Sequence, residues 1–319
     1  MFFIRLANGR DLIILSAYGQ EALSMSPRLN KYTTTIKRTV FPIGGGGLSF
    51  LYTDKGFEQK VVLLHGIPAS SELWRDTMIE MSREPLDLYA PDLPGYGATR
   101  FPLTDDFSLS GAADKLAWWV EHHLKQPVWL VGHDLGGAVA QIMAVRYPQW
   151  VERLTLVNSP FDRSWPVWPV RVFRLVARLG LFSWVARHNL VVNPYTRRKL
   201  RQGFYRSNSF SAEKIHHVFW RHKLDINGGA EQFARHLLAL DNRQTAALLP
   251  ALKKLAMPVQ LVWGMRDHYQ PWPRVGAKLA RALPSPKIHF LEDCGHYLPL
   301  EAPGEVAALL TEWNLALKV

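Results

Sequence analysis

The chain has 319 residues, 48% hydrophobic and 20% charged, with a formal net charge of +11. That length can bury a large core and suits one catalytic domain carrying an insertion. Cys294 is the sole cysteine, which excludes an intrachain disulfide and suits a reducing cytoplasm.

The opening MFFIRLANGRDLIILSAYGQ is apolar only in short bursts, broken by Arg5, Arg10 and Asp11. Neither a secretory signal nor a transmembrane helix is expected there, and residues 1–31 are an N-terminal extension with no assigned element. From Tyr32 the pattern becomes regular. TTTIKRTVFPI and LSFLYTDK alternate as strands do, around a glycine run from Gly44 to Gly47 that reads as a hairpin loop. Without a following Lys-Ser or Lys-Thr at a helix start, the run is no phosphate loop. KVVLLHG, LDLYAPDLPGYG and VWLVGHD are short apolar runs of the kind buried in parallel sheets, and SELWRDTMIEMSRE, ADKLAWWVEHHLK and AVAQIMAVRYP are helical stretches that separate them. After RLTLVNSP helical segments dominate, until PVQLVWGMRD and KIHFLED restore the alternation. The expectation is an α/β fold with a mostly parallel, doubly wound sheet. Residues 32–158 and 251–319 form its core, and 159–250 a helical cap inserted into it.

Gly132-His133-Asp134-Leu135-Gly136 follows one of these strands and precedes a helix, so it reads as a sharp turn presenting Asp134 between small neighbours. His65-Gly66-Ile67-Pro68 follows another strand, Asp267 ends VQLVWGMRD, and His296 lies in DCGHYLP after the last strand. Together these resemble the α/β-hydrolases, from about Thr35 to the C-terminus: a nucleophile elbow, an oxyanion loop, and nucleophile, acid and histidine in that chain order. The resemblance implies a triad of Asp134, Asp267 and His296, with backbone N–H groups of Ile67 and Leu135 as oxyanion donors.

Aspartate at the elbow changes the chemistry expected. A carboxylate is already anionic near neutral pH and needs no base to attack. On an ester it would give a reactive mixed anhydride, whereas on saturated carbon bearing a halide or an epoxide it gives an ordinary alkyl ester. Water activated by His296 can then hydrolyse that ester. This pattern resembles the haloalkane dehalogenases and the α/β-fold epoxide hydrolases, and HGIPASSELWRD, with Ser70, Ser71 and Trp74, looks more like the dehalogenase version. Dehalogenases commonly hold the halide with a tryptophan after the nucleophile and a donor in the oxyanion loop or lid. Here Leu135 and Ile67 stand at two of those places, and neither side chain donates a hydrogen bond. Trp184 and Trp165 are the lid candidates for a halide, and Tyr195 and Tyr205, the only tyrosines of the insertion, are those for an epoxide oxygen.

Other polar residues have structural readings. His133 braces the elbow; Asp162 is a second, less strand-like candidate for the acid; Asp92 in PDLPGYG caps backbone groups. The pairs His122-His123 and His216-His217 diverge on helices, which argues against a metal site, and no motif calls for a cofactor. The expected partner is a small-molecule substrate. Residues 159–250 carry fifteen Lys and Arg against five Asp and Glu, a net of +10 out of +11. Arg171, Arg174 and Arg178 recur at helical spacing among apolar residues, which fits peripheral contact with an anionic membrane. A basic patch without a recognition module does not predict specific nucleic-acid binding. Natural substrate and oligomeric state are open at this level.

Overall fold

The computed structural model describes residues 3–5, 11–13, 35–206, 210–224 and 226–317. The chain divides into two compact units, Met1–Thr33 and Thr34–Val319. In the first, strands β1 (Phe3–Arg5) and β2 (Asp11–Ile13) pair antiparallel. The rest of the N-terminal extension falls outside the described residues.

The second unit is built on eight strands: β3 (Lys37–Ile43), β4 (Gly46–Thr53), β5 (Lys60–Leu64), β6 (Asp87–Pro91), β7 (Val128–His133), β8 (Val151–Val157), β9 (Val259–Gly264) and β10 (Lys287–Leu291). Their spatial order is β10-β9-β8-β7-β5-β6-β4-β3. The first two are an antiparallel hairpin turning at Gly44 and Gly45, where φ values of 47° and 78° suit glycine. β4 lies antiparallel to β6, and all pairs from β6 through β10 are parallel. β6, β7 and β9 are buried throughout, as expected of strands covered on both faces.

Helix α1 (Arg75–Met81) leads from β5 to β6, α2 (Leu109–Trp119) from β6 to β7, and α3 (Leu135–Arg146) from β7 to β8. The first crossover runs opposite to the other two, and right-handed connections therefore put α1 on one face and α2 with α3 on the other. Consistent with this, α2 packs on α3, and α1 on the C-terminal helix α14 (Pro303–Ala316). Where the strand order reverses, between β5 and β7, an open α/β sheet has its binding crevice at the carboxyl ends of the strands.

Between β8 and β9 the chain leaves the sheet for eight helices: α4 (Trp168–Arg178), α5 (Phe182–Arg187), α6 (Pro194–Gln202), α7 (Ala212–Phe219), α8 (Arg221–Leu224), α9 (Gly229–Ala239), α10 (Arg243–Ala246) and α11 (Leu249–Leu252). This insertion is the cap. Helices α4 and α5 pack on α9, whose Phe233 and Leu237 are fully buried. After β9, α12 (Gly276–Ala282) returns the chain to β10, and α13 (Leu298–Glu301) follows it.

Candidate active site

Asp134 sits between β7 and α3 with φ 48° and ψ −127°, a conformation that L-residues avoid. Holding it costs on the order of 1–3 kcal/mol, which the flanking strand and helix must offset. The glycines around it are dictated by contact. A Cβ on Gly132 would stand 2.5 Å from the Gly136 carbonyl oxygen, and one on Gly136 would strike the His65 carbonyl. The turn thus brings strand, helix and oxyanion loop together at one carboxylate.

That carboxylate is 5% exposed and its two oxygens have different surroundings. Oδ2 accepts the Ile67 N–H at 2.9 Å, and the nearby Leu135 N–H also favours the charged form. Oδ1 lies 3.8 Å from Nε2 of His296. Burial raises the Asp134 pKa above the ordinary carboxylate range, against the opposing pull of His296 and the two N–H groups. On its far side the His296 ring donates from Nδ1 to Asp267 Oδ2 at 2.8 Å. Asp267 Oδ1 in turn accepts the backbone N–H groups of Tyr269 and Gln270, at 2.7 and 2.9 Å, so the acid is fixed at both oxygens. Burial alone would lower the His296 pKa; the charges of Asp267 and Asp134 outweigh it and the net shift is upward. His296 is thereby flanked by two aspartates, one binding it and one facing it.

Several residues hold this geometry without touching a reacting atom. His65 donates from Nδ1 to the Gly66 carbonyl and accepts the Leu93 N–H at Nε2, and burial lowers its pKa to about 4, so it stays neutral. His133 donates from Nε2 to the His296 carbonyl at 2.8 Å and is likewise held neutral by burial, a brace as its position suggested. Asp92 accepts the N–H groups of Ser71 and Ala98 and pairs with Arg38 at 2.6 Å. Asp162 is exposed, and it is Asp267 that meets the histidine.

Three supports had no signal in the pattern of the sequence. Asn158, after β8, donates to the carbonyls of Gly295 and His296 and accepts the Gly264 N–H, stitching the acid strand to the histidine loop. Glu301 accepts the Gly295 N–H on one oxygen and those of Tyr205 and Arg206 on the other. Lys223 of the cap is 3% exposed and its ammonium donates to the carbonyls of Pro68 and Phe219, at 2.5 and 2.8 Å. The Tyr96 and Phe233 rings also face it, and burial lowers its pKa to about 7. It clasps the cap to the loop that presents the Ile67 N–H. Such partners are invisible to spacing because each joins residues remote in the chain.

The carboxylate opens on a cleft with about 620 Å³ of empty space, counting its mouth. Val167, Val170, Phe173 and Leu200 give it apolar walls from the cap, while Tyr269, Tyr297 and Trp220 bring aromatic rings carrying polar atoms. Of the four aromatic candidates read from the insertion, only Tyr195 reaches this cleft. Trp184 is 54% exposed and packs against the tilted ring of His188 outside it, because α5 turns that side chain away from the core. Trp165 is buried, and its indole N–H is already bonded to Thr245 Oγ1 at 2.8 Å. Tyr205 is half exposed beside the Arg266 guanidinium. Trp220, which does line the cleft, was missed: it follows α7 with no motif to mark it.

The sequence model of the family described as alpha/beta hydrolase fold matches residues 60–303. This chain belongs to that family. Among curated relatives of this alpha/beta hydrolase, the soluble epoxide hydrolase of Corynebacterium sp. (strain C12) is 29% identical over 272 residues, covering 81% of this chain and 90% of the relative. Monoacylglycerol lipase abhd6-A of Xenopus laevis is 26% identical over 309 residues, covering 94% and 86%. Among solved structures, epoxide hydrolase CorEH without ligand superposes with a TM-score of 0.71 at 26% identity, covering 89% of this chain and all of that one. Haloalkane dehalogenase DbeA from Bradyrhizobium elkani USDA94 gives 0.73 at 21% identity, covering 89% and 99%, a likeness of fold. The chain is therefore an alpha/beta hydrolase with a histidine between two aspartates at its centre.

Proposed function

We propose that the protein hydrolyses a lipophilic alkyl substrate, an epoxide in the first instance, through a covalent ester on Asp134. One observation carries this reading: an oxyanion donor, the Ile67 N–H, holds an oxygen of the protein's own carboxylate, Oδ2, at 2.9 Å. In acyl transfer by a serine, such donors wait for the substrate's carbonyl oxygen. Here the oxygen that will become negative is part of Asp134 itself, as hydrolysis of an enzyme-bound alkyl ester requires.

The steps follow from the two oxygens. Oδ1 attacks an epoxide carbon in line with the breaking C–O bond; the electron pair goes to the ring oxygen, which takes a proton from a hydroxyl of the cleft. Tyr195 and Tyr297 carry phenols there. The 3.8 Å between Oδ1 and His296 Nε2 is too long for a direct hydrogen bond, so the imidazole is available to a water beside Cγ. His296 takes that water's proton as the oxygen adds to Cγ. The negative charge settles on Oδ2, where the Ile67 N–H contributes roughly 3 kcal/mol by precedent. Collapse breaks the bond between Cγ and the alkyl oxygen, the alkoxide recovers the proton from His296, and a diol leaves; the water's second proton, left on the Asp134 carboxyl, returns to the phenolate and regenerates both groups.

A halide is the second reading, favoured by the indole of Trp220 on the cleft wall. Leu135 and Ile67 weigh against it, since neither offers a side-chain donor. The test is a parallel assay of styrene-type epoxides, bromoalkanes and simple esters, with mass spectrometry of His296→Gln after exposure to each. Diol formation with an alkyl adduct on the Asp134 peptide supports the proposal; bromide release with that adduct moves the substrate to the second reading. Acid release from esters with no adduct on any substrate overturns both.

A further inference from the structure

The cap has an outer face unlike the rest of the surface. Helix α4 turns Val170 and Phe173 to the cleft, yet its opposite side presents Trp168, Leu175 and Leu179, which are 65%, 57% and 62% exposed. Leu181, Trp184 and Leu190 extend this apolar surface across α5 and its flanks, each about half exposed. A helix apolar on both sides is ordinarily buried on both, and among the described residues nothing covers the outer side of this one.

Charge says what could cover it. From Arg163 to Arg206 the sequence has ten Arg and Lys and no Asp or Glu. Arg187 pairs with Glu231 and Arg206 with Glu305, whereas Arg178, Arg197, Arg198 and Arg201 meet no carboxylate at ion-pair distance among the described residues. Exposed tryptophan and leucine interleaved with unpaired arginine match the boundary of an anionic bilayer, where apolar side chains enter the acyl region and guanidinium groups meet phosphates. The segments that carry this surface also reach the active site. Val167 and Pro169, on either side of Trp168, line the cleft, and Tyr195 both lines it and is 42% exposed.

We propose that the outer face of α4 and α5 docks on an anionic lipid surface, so that the cleft opens toward the bilayer and takes apolar substrate from it. Docking is independent of the chemistry at Asp134; only the identity of what enters rests on the alkyl-hydrolase reading.

The experiment reads binding without turnover, in Asp134→Asn protein carrying Leu179→Cys; the native Cys294 is buried and serves as an unreactive spectator. The introduced thiol should react readily with maleimide in free protein and slow about tenfold with phosphatidylcholine–phosphatidylglycerol vesicles, but not with phosphatidylcholine alone. High salt should restore the rate, since screening weakens the arginine contacts. Co-sedimentation with the mixed vesicles should fall about tenfold on combining Trp168→Ser with Leu175→Ser, or Arg178→Glu with Arg198→Glu. A thiol rate indifferent to anionic vesicles overturns the proposal. So does a thiol already protected without them: a concentration-dependent protection would mean a second copy covers the face, and a concentration-independent one the chain's own residues. Failure of the alkyl-enzyme adduct with docking intact would instead remove only the substrate chemistry.

Discussion

The floor of the cleft and the outer side of its cap treat charge in opposite ways. At the floor, Asp134, Asp267 and His296 are nearly inaccessible, and each is held by a specific partner. On the cap, Arg178, Arg197, Arg198 and Arg201 are exposed with no carboxylate at ion-pair distance among the described residues, alongside exposed leucines and tryptophans. Burying a charge is costly unless hydrogen bonds satisfy it, so a buried carboxylate is a feature with a job in one geometry. Exposed charge is cheap and tolerant of its surroundings, so it marks a surface that meets varied partners. The cleft and the proposed docking face are therefore joined through α4, which lines the cleft with Val170 and Phe173 and exposes Trp168, Leu175 and Leu179 on its other side.

Substitutions should separate the two regions by the size of their effects. Asp134→Asn should do the most: an amide cannot displace a leaving group, and turnover should fall by about 10⁴-fold or more, measured as initial rate, with the thermal midpoint unchanged or raised because a buried charge is removed. A midpoint that collapses with activity would mean Asp134 holds the fold rather than the chemistry.

The pH profile comes next. His296 must be neutral to accept the water's proton, and its pKa is raised by the neighbouring carboxylates. Esterified Asp134 carries no charge, so during ester breakdown Asp267 alone sustains the upward shift, and the rate should fall as pH drops through the His296 pKa. Asp267→Asn should move this limb to lower pH while slowing turnover, by about 10⁴-fold where the amide imposes the wrong tautomer. Single-turnover rates across pH check this; a limb unmoved by the substitution would detach His296 from it.

Lys223→Met should have an intermediate effect. It leaves the Pro68 and Phe219 carbonyls without their buried donor, at about 1–3 kcal/mol for each unsatisfied group. Less firmly held, the Ile67 N–H should slow ester breakdown by about tenfold, with substrate affinity little changed. The alkylation step should slow less, because the full oxyanion develops only during hydrolysis of the ester. An equal effect on both steps would make Lys223 a general support of the cap. Smallest of all, Leu175→Ser should alter stability by less than about 0.5 kcal/mol and leave kinetics on a water-soluble substrate intact. A loss of activity there would tie the outer face to the floor and erase the contrast.

Much of this organisation is legible in the chain. KVVLLHG, VWLVGHD and PVQLVWGMRD are strands because buried parallel strands need uninterrupted apolar runs, and the tight turn at Asp134 needs Gly132 and Gly136 beside it. Asp134, Asp267 and His296 could be picked out because each ends a strand or follows one, a local signal. The cap was different. Trp184, Trp165 and Tyr205 had the right residue types in the right segment, but α5 turns Trp184 outward, and Trp165 and Tyr205 lie outside the helices, one tied to Thr245 and one beside Arg266. Helix packing depends on which faces meet across distant segments, and spacing alone does not set it.

By itself the sequence determined the strands, the elbow and the three titratable residues, because period, turn chemistry and residue type act over a few neighbouring positions. Only the tertiary structure decided which oxygen of Asp134 the Ile67 N–H holds, that Asn158, Glu301 and Lys223 support the site, and that Tyr195 and Trp220 reach the cleft. Those outcomes depend on contacts between segments far apart in the chain, where angstroms of packing, rather than the local pattern, select the partner.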